Sequence, residues 1–229
     1  MRRFRYDPGT SYAYEMKPAT DETTYVRIRF SKLDAARYLS HRNLMSVWER
    51  ALRRAGVSVS FTGGYSPRPV IHFGPPVPVG YAARDELLDI RVDGSIDAGE
   101  LITVLNQNLP AGIAVLDVEK LPGKPPSLMA SARSAGYQVL LHDPGGDVDE
   151  LVREFLRLPA LEIEIRRGER TRQVDIRSAV LELDWRPPAT IAMRLRAGEG
   201  ASCRPEDVLS AMSLKARAVS RTDIDYAFE

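Results

Sequence analysis

The alternation of apolar and polar positions changes period several times along the chain, and each change predicts an element. Tyr25–Phe30 alternates as a strand does, with Tyr25, Ile28 and Phe30 set among arginines. Ser40 then fits a helix N-cap, since its hydroxyl can accept from an unpaired amide of the first turn. Leu44, Val47, Trp48, Ala51, Leu52 and Ala55 follow at helical spacing, and Gly56 supplies a left-handed stop. Val57–Phe61 reads as a strand, Gly63 and Gly64 break it, and Val70–Phe73 resumes an extended run before Pro75, Pro76 and Pro78. Leu87–Val92 is a further strand, Asp97 caps a helix running through Asn108, and Ile113–Val118 is another strand.

The stretch 121–135, with Pro122, Gly123, Pro125 and Pro126, follows neither period and reads as a linker. Beyond it the pattern recurs. Tyr137–Leu141 is a strand and Val148–Leu158 an amphipathic helix; Leu161–Arg166 and Val174–Leu183 suggest a hairpin pair, and Ile191–Leu195 a further strand. Pro205–Met212 forms a helix opened by proline, and Ala218–Tyr226 closes the series. The expected fold class is α+β, as two tandem ferredoxin-like βαββαβ units over 24–120 and 136–229, preceded by a flexible polar arm over 1–23.

Composition narrows the classes. A chain of 229 residues exceeds the usual single-domain size, and 44% hydrophobic with 28% charged residues suits ordinary globular cores. The single cysteine, Cys203, excludes an internal disulfide and any cluster or zinc site held by several cysteines of this chain. The first residues lack the apolar run of a signal peptide, and no segment reaches the roughly 18 apolar residues of a membrane span, so a cytoplasmic protein that makes no use of the membrane is expected.

The formal net charge of +1 hides an uneven distribution. Between Tyr25 and Arg84 stand ten basic residues (Arg27, Arg29, Lys32, Arg37, Arg42, Arg50, Arg53, Arg54, Arg68 and Arg84) against Asp34 and Glu49, a segment charge of about +8. Asp85–Glu119 then carries eight carboxylates against Arg91 alone. A polyanion answers to the local field, so a near-neutral total leaves such a partner open.

Two places could use that field. On the first helix Arg42 and Arg53 share a flank with Ser46 and Glu49, while Arg50 and Arg54 share another; arginine forks match phosphate oxygens, although arginines whose stems cover apolar surface give the same pattern. The loop FTGGYSPRPVIHFGPP offers close backbone approach at Gly63 and Gly64, a stacking face at Tyr65 and a proline-flanked Arg68, or else an ordinary surface bulge. His41 at the helix start is the candidate acid–base group, with a plain first-turn polar residue as the alternative. His72 reads as one face of a strand and His142 as a turn residue, and three scattered histidines compose no metal site; no cofactor is expected. Trp48 and Trp185 read as core or interface residues.

The run RIRFSKLDAARYLSHRNLMSVWERALRRAGVSVSFTGGYSPRPVIHFGPPVPVGYAARDELLDI resembles the radical-SAM-linked family, a domain of unknown function fused to or encoded beside radical S-adenosylmethionine proteins. The likeness rests on Arg-Phe-Ser, Leu-Ser-His, Arg-Ala-Leu-Arg-Arg-Ala-Gly, Gly-Tyr-Ser-Pro-Arg-Pro and Pro-Pro-Val-Pro-Val-Gly, all within about 65 residues. It implies a separately encoded radical SAM enzyme as partner, because the three cysteines of such a cluster are lacking here. Neighbours of the family include ribonuclease E/G-type enzymes, which implies RNA metabolism. A more distant similarity to CRISPR repeat-processing RNA endonucleases, built from two ferredoxin-like units, implies that His41 cleaves RNA and the glycine loop holds it.

The expected function is therefore an accessory RNA-binding module that presents a tRNA or rRNA substrate to a radical SAM enzyme, with Arg42, Arg50, Arg53, Arg54 and Arg68 on phosphates and Tyr65 stacked on a base. The alternatives are metal-independent RNA cleavage by His41 and a purely protein-binding subunit of a radical SAM complex.

Overall fold

A computed structural model of the chain describes residues 23–63, 65, 67–168, 170–198 and 203–228; the expected arm over 1–23 lies outside them except for Thr23. The fold is α+β. The chain runs β1 (Thr23–Lys32), a 3-10 turn (Asp34–Tyr38), α1 (His41–Arg54), β2 (Ile71–Phe73), β3 (Ala82–Asp93), α2 (Ala98–Asn108) and β4 (Ile113–Leu121). It continues through α3 (Leu128–Ser131), β5 (Ala132–Leu141), α4 (Val148–Arg157), β6 (Glu162–Arg167), β7 (Arg170–Asp175), α5 (Ile176–Ala179), β8 (Val180–Arg186), β9 (Thr190–Arg196), α6 (Pro205–Ala211) and β10 (Ala216–Tyr226).

One sheet of eight strands spans both halves, in the order β4-β1-β3-β10-β5-β9-β8, with β2 also paired to β3. Within the first half the order is β4-β1-β3-β2, every pairing antiparallel. The second half follows the same scheme, β10-β5-β9-β8, again antiparallel. The halves meet where β10 runs parallel to β3, Ser220 beside Ala82 and Arg221 beside Ala83.

Each half buries its own core. In the first, Leu44, Trp48 and Leu52 of α1 and Leu101 and Leu105 of α2 close over Val26, Ile28 and Phe30 of β1 and Leu88, Ile90 and Val92 of β3. In the second, Val152 and Phe155 of α4 and Val208 and Leu209 of α6 close over Val139, Leu183 and Ile191. Both cores form because the apolar stripe of each helix and the inward face of each strand have no other way to leave water. Tyr81 and Val77 belong to the first half in sequence but pack into the second core, and the Tyr81 hydroxyl bonds the Glu206 carboxylate at the start of α6.

Several local expectations shift. Of the stretch expected as a linker, Leu121 ends β4, Leu128–Ser131 form the short α3 under a Ser127 cap, and Ala132–Ala135 open β5. Val57–Phe61 makes only isolated bridges, Val59 to Val92 and Phe61 to Pro69. The expected pairing of Leu161–Arg166 with Val174–Leu183 is replaced by a self-contained β6–β7 hairpin, whereas β8 joins the main sheet beside β9. The cause is a turn at Ile176, which is fully buried, capped by Asp175, whose carboxylate accepts from the amides of Leu161 and Arg177.

Next to the parallel seam the Arg221 guanidinium grips both oxygens of Glu86, at 2.7 and 2.5 Å, and donates to the Pro75 carbonyl at 2.6 Å. Arg221 is 3% and Glu86 4% exposed, so each charge depends on the other for solvation. Glu86→Ala, which strands Arg221, is expected to cost about 3–5 kcal/mol by urea denaturation, whereas Glu86→Leu combined with Arg221→Met recovers most of that loss. Equal midpoints for wild type and Glu86→Ala would contradict this assignment.

Candidate functional site

α1 forms because its apolar residues recur on one stripe: Leu44, Trp48, Ala51 and Leu52 are buried, and Trp48 meets Phe30 edge-on at 5.1 Å. Ser40 caps it, its hydroxyl accepting from the Asn43 amide at 3.2 Å. Gly56, at φ +70°, ends it in the left-handed region as expected. The remaining surface of the helix carries the arginines. Arg42, Arg50, Arg53 and Arg54 are all exposed. Arg54 donates to the Asn108 carbonyl oxygen and so ties α1 to the end of α2. Among the described residues no carboxylate lies within ion-pair distance of Arg42, Arg50 or Arg53.

The Gly63 loop is an excursion within an edge strand. Between the Val59–Val92 bridge and the Ile71–Ile90 pair the register moves two residues along β3 and twelve along the outer chain. The excess projects as a loop whose base is tied by the Thr62 amide to the Arg68 carbonyl at 2.8 Å and by the Arg68 amide to the Thr62 hydroxyl at 3.0 Å. Gly63, Tyr65 and Arg68 are exposed, Tyr65 wholly so, and Gly64 lies outside the described residues.

The charge distribution counted along the chain is altered by pairing. Arg27 binds Asp89 through two hydrogen bonds of 2.8 and 2.9 Å, and Arg29 binds Asp85 at 3.0 and 2.5 Å. The basic segment and the acidic one lie on adjacent antiparallel strands, β1 and β3, so the sequence segregation of charge becomes cross-strand neutralisation there. The Phe228 ring covers Arg27, whose guanidinium carbon stands 4.0 Å from its centroid. Arg42, Arg50 and Arg53 of α1 and Arg68 of the loop keep their charge open to solvent, as does Arg84 at the start of β3.

A narrow cleft opens beside the start of α1, lined by Phe30, Lys32, His41, Phe73, Glu86 and the Gly74–Val77 segment. Lys32 is 1% exposed; among the described residues its ammonium reaches only the carbonyl oxygens of Arg37 and Leu39, at 3.4 and 3.5 Å. Burial lowers its pKa; Glu86 opposes that shift and Arg221 adds to it. His41, at the mouth, meets Phe73 edge-on at 5.4 Å, and its pKa is lowered by burial and then by the Lys32 charge. Burial pushes the Glu86 carboxyl up, against the pull of Arg221. The Tyr226 hydroxyl is buried with no hydrogen-bond partner among the described residues; Gly74 lies so close that any side chain there would strike it.

In the sequence Lys32 counts with the basic segment and Glu86 with the acidic one, and nothing there pairs Glu86 with Arg221. A signal was present. Counting by twos puts Lys32 on the face of Val26, Ile28 and Phe30, and Glu86 on that of Leu88, Ile90 and Val92, both of which are core faces.

The molecule is thus of a class in which two α+β halves share one sheet and carry an arginine-bearing helix on the first. The chain belongs to the family described as "Uncharacterized protein conserved in bacteria (DUF2344)", which matches residues 25–205. No curated protein matches it. No described helix is long and apolar enough to cross a membrane.

A histidine that resists protonation in the folded state makes folding less favourable as pH falls below the ordinary 6.5 towards the lowered value, because the unfolded chain binds the proton first. An NMR titration of the His41 ring is expected to show a midpoint below 6.5 that rises in Lys32→Met. A midpoint unmoved by that substitution would remove Lys32 as a cause.

Proposed function

We propose that this protein is an RNA-binding accessory module that presents its RNA to a separately encoded radical SAM enzyme. The observation that carries the reading is the contrast among its arginines. Arg27, Arg29, Arg194 and Arg221 all hold carboxylates, whereas Arg42, Arg50 and Arg53 stand exposed on one helix without any among the described residues. Guanidinium groups without carboxylate partners, spread along one helix, bind phosphate oxygens in forked pairs and release counterions, which gives affinity with little sequence preference. Arg68 and the fully exposed Tyr65 extend the surface with a cation and a ring on which a base can stack. Arg54, engaged at Asn108, contributes its charge more than its hydrogen bonds. The radical SAM partner is supported by the resemblance of residues 27–90 and by the lone Cys203, which cannot hold a three-cysteine cluster.

Structured RNA is expected to bind at ~50 mM salt with an affinity that falls steeply as salt rises. The triple variant Arg42→Ala/Arg50→Ala/Arg53→Ala should flatten the log–log salt slope by about 2, at roughly 0.7 per lost single-strand contact. An unchanged slope removes α1 from the interface. Capture of the partner enzyme that survives nuclease treatment would move the reading to a protein-binding subunit. The reading in which His41 cleaves RNA predicts metal-independent strand scission lost in His41→Ala, and the lowered pKa that keeps this imidazole neutral suits a general base.

A further inference from the structure

The buried polar cluster beside α1 is unbalanced. Lys32 and Arg221 bring two positive charges against the single carboxylate of Glu86, and Arg221 already occupies both oxygens of that carboxylate. Lys32 is left as a buried ammonium with two long contacts to carbonyl oxygens and, among the described residues, no ion pair. A buried charge in that state is costly, and a bound anion would offset the cost. The cleft leads to it. Its mouth is at exposed His41, and its base, bounded by Lys32 and Glu86, has room for about one water molecule or one oxygen of a larger group. The first turn of α1 at the mouth carries no carboxylate, and at the base Arg221 holds both oxygens of Glu86 and neutralises its charge.

We propose that this cleft is a subsite for a terminal phosphate, one oxygen of which reaches the Lys32 ammonium while another meets the His41 ring. The small base of the cleft, about one oxygen in size, favours an end group: a phosphodiester within a strand carries a ribose on each side of its phosphate, whereas a phosphomonoester projects three oxygens beyond the last sugar. Gly74–Pro75–Pro76 forms a stiff wall, held from behind by the Arg221 bond to the Pro75 carbonyl, so the cleft does not widen easily. The subsite rests on the RNA reading for its physiological source: with α1 holding the strand, the cleft would read its phosphorylated end.

Inorganic phosphate alone tests the chemistry. Titrated into the full chain, it is expected to shift the His41 ring resonances in the wild type and in the triple arginine variant, but not in Lys32→Met. Removal of an unpaired buried charge should leave that variant with a melting temperature at or above the wild type, which verifies that it is folded. RNA then tests the source. An oligonucleotide carrying a 5′- or 3′-phosphate should bind about tenfold more tightly than its hydroxyl-ended counterpart, and the advantage should vanish in Lys32→Met and under competing inorganic phosphate. Equal affinity of phosphorylated and hydroxyl-ended RNA would overturn the end-reading role while leaving the contacts of α1 intact. No response of His41 to phosphate, or an undiminished one in Lys32→Met, would overturn the subsite itself.

Discussion

The Glu86–Arg221 pair constrains more of this molecule than any other contact. It lies beside a parallel seam of two residue pairs, too short a run of hydrogen bonds to hold two halves in one orientation. Burial raises what is lost if either charge is removed, and the pair also fixes Pro75, whose segment walls the cleft. The first half reaches across the seam a second time through Tyr81, packed into the second core and bonded to Glu206. The two halves therefore share a sheet, a buried charge pair and part of a core.

Electrostatics in the first half is divided between two tasks. Between β1 and β3 Arg27 faces Asp89 in register and Arg29 reaches diagonally to Asp85, so these charges cancel and stabilise the pairing of the strands. On α1 the arginines have no such partners among the described residues, and their charge stays open to solvent. Linear counting cannot separate these cases, since residues far apart in sequence become neighbours only after the strands pair.

What the sequence made legible follows from that limit. The caps at Ser40 and Asp97, the stop at Gly56 and the helical stripe of α1 are local, governed by residues within a few positions of one another, and they stand where the pattern placed them. The period-two faces of β1 and β3 were equally local, yet a lysine or glutamate on an apolar face is discounted unless its partner is known, and Arg221 lies 135 residues from Glu86. The β6–β7 hairpin was misread for a related reason: Asp175 and Ile176 interrupt an extended run by making contacts in three dimensions, and nothing in the period announces the break. Type and spacing single out the arginines of α1, but whether a carboxylate pairs with them is decided only in space.

The outer chain pairs with β3 up to Ser60, whose amide donates to the Arg91 carbonyl, and pairs again from Val70, whose carbonyl accepts from the Arg91 amide, so a single residue of β3 spans the excursion. Thr62 and Arg68 close the base of this loop, so residues added or deleted between them leave the pairing of Ser60 and Val70 with Arg91 in place. A change in the length or composition of that loop can therefore alter the surface it presents while the scaffold beneath stays the same.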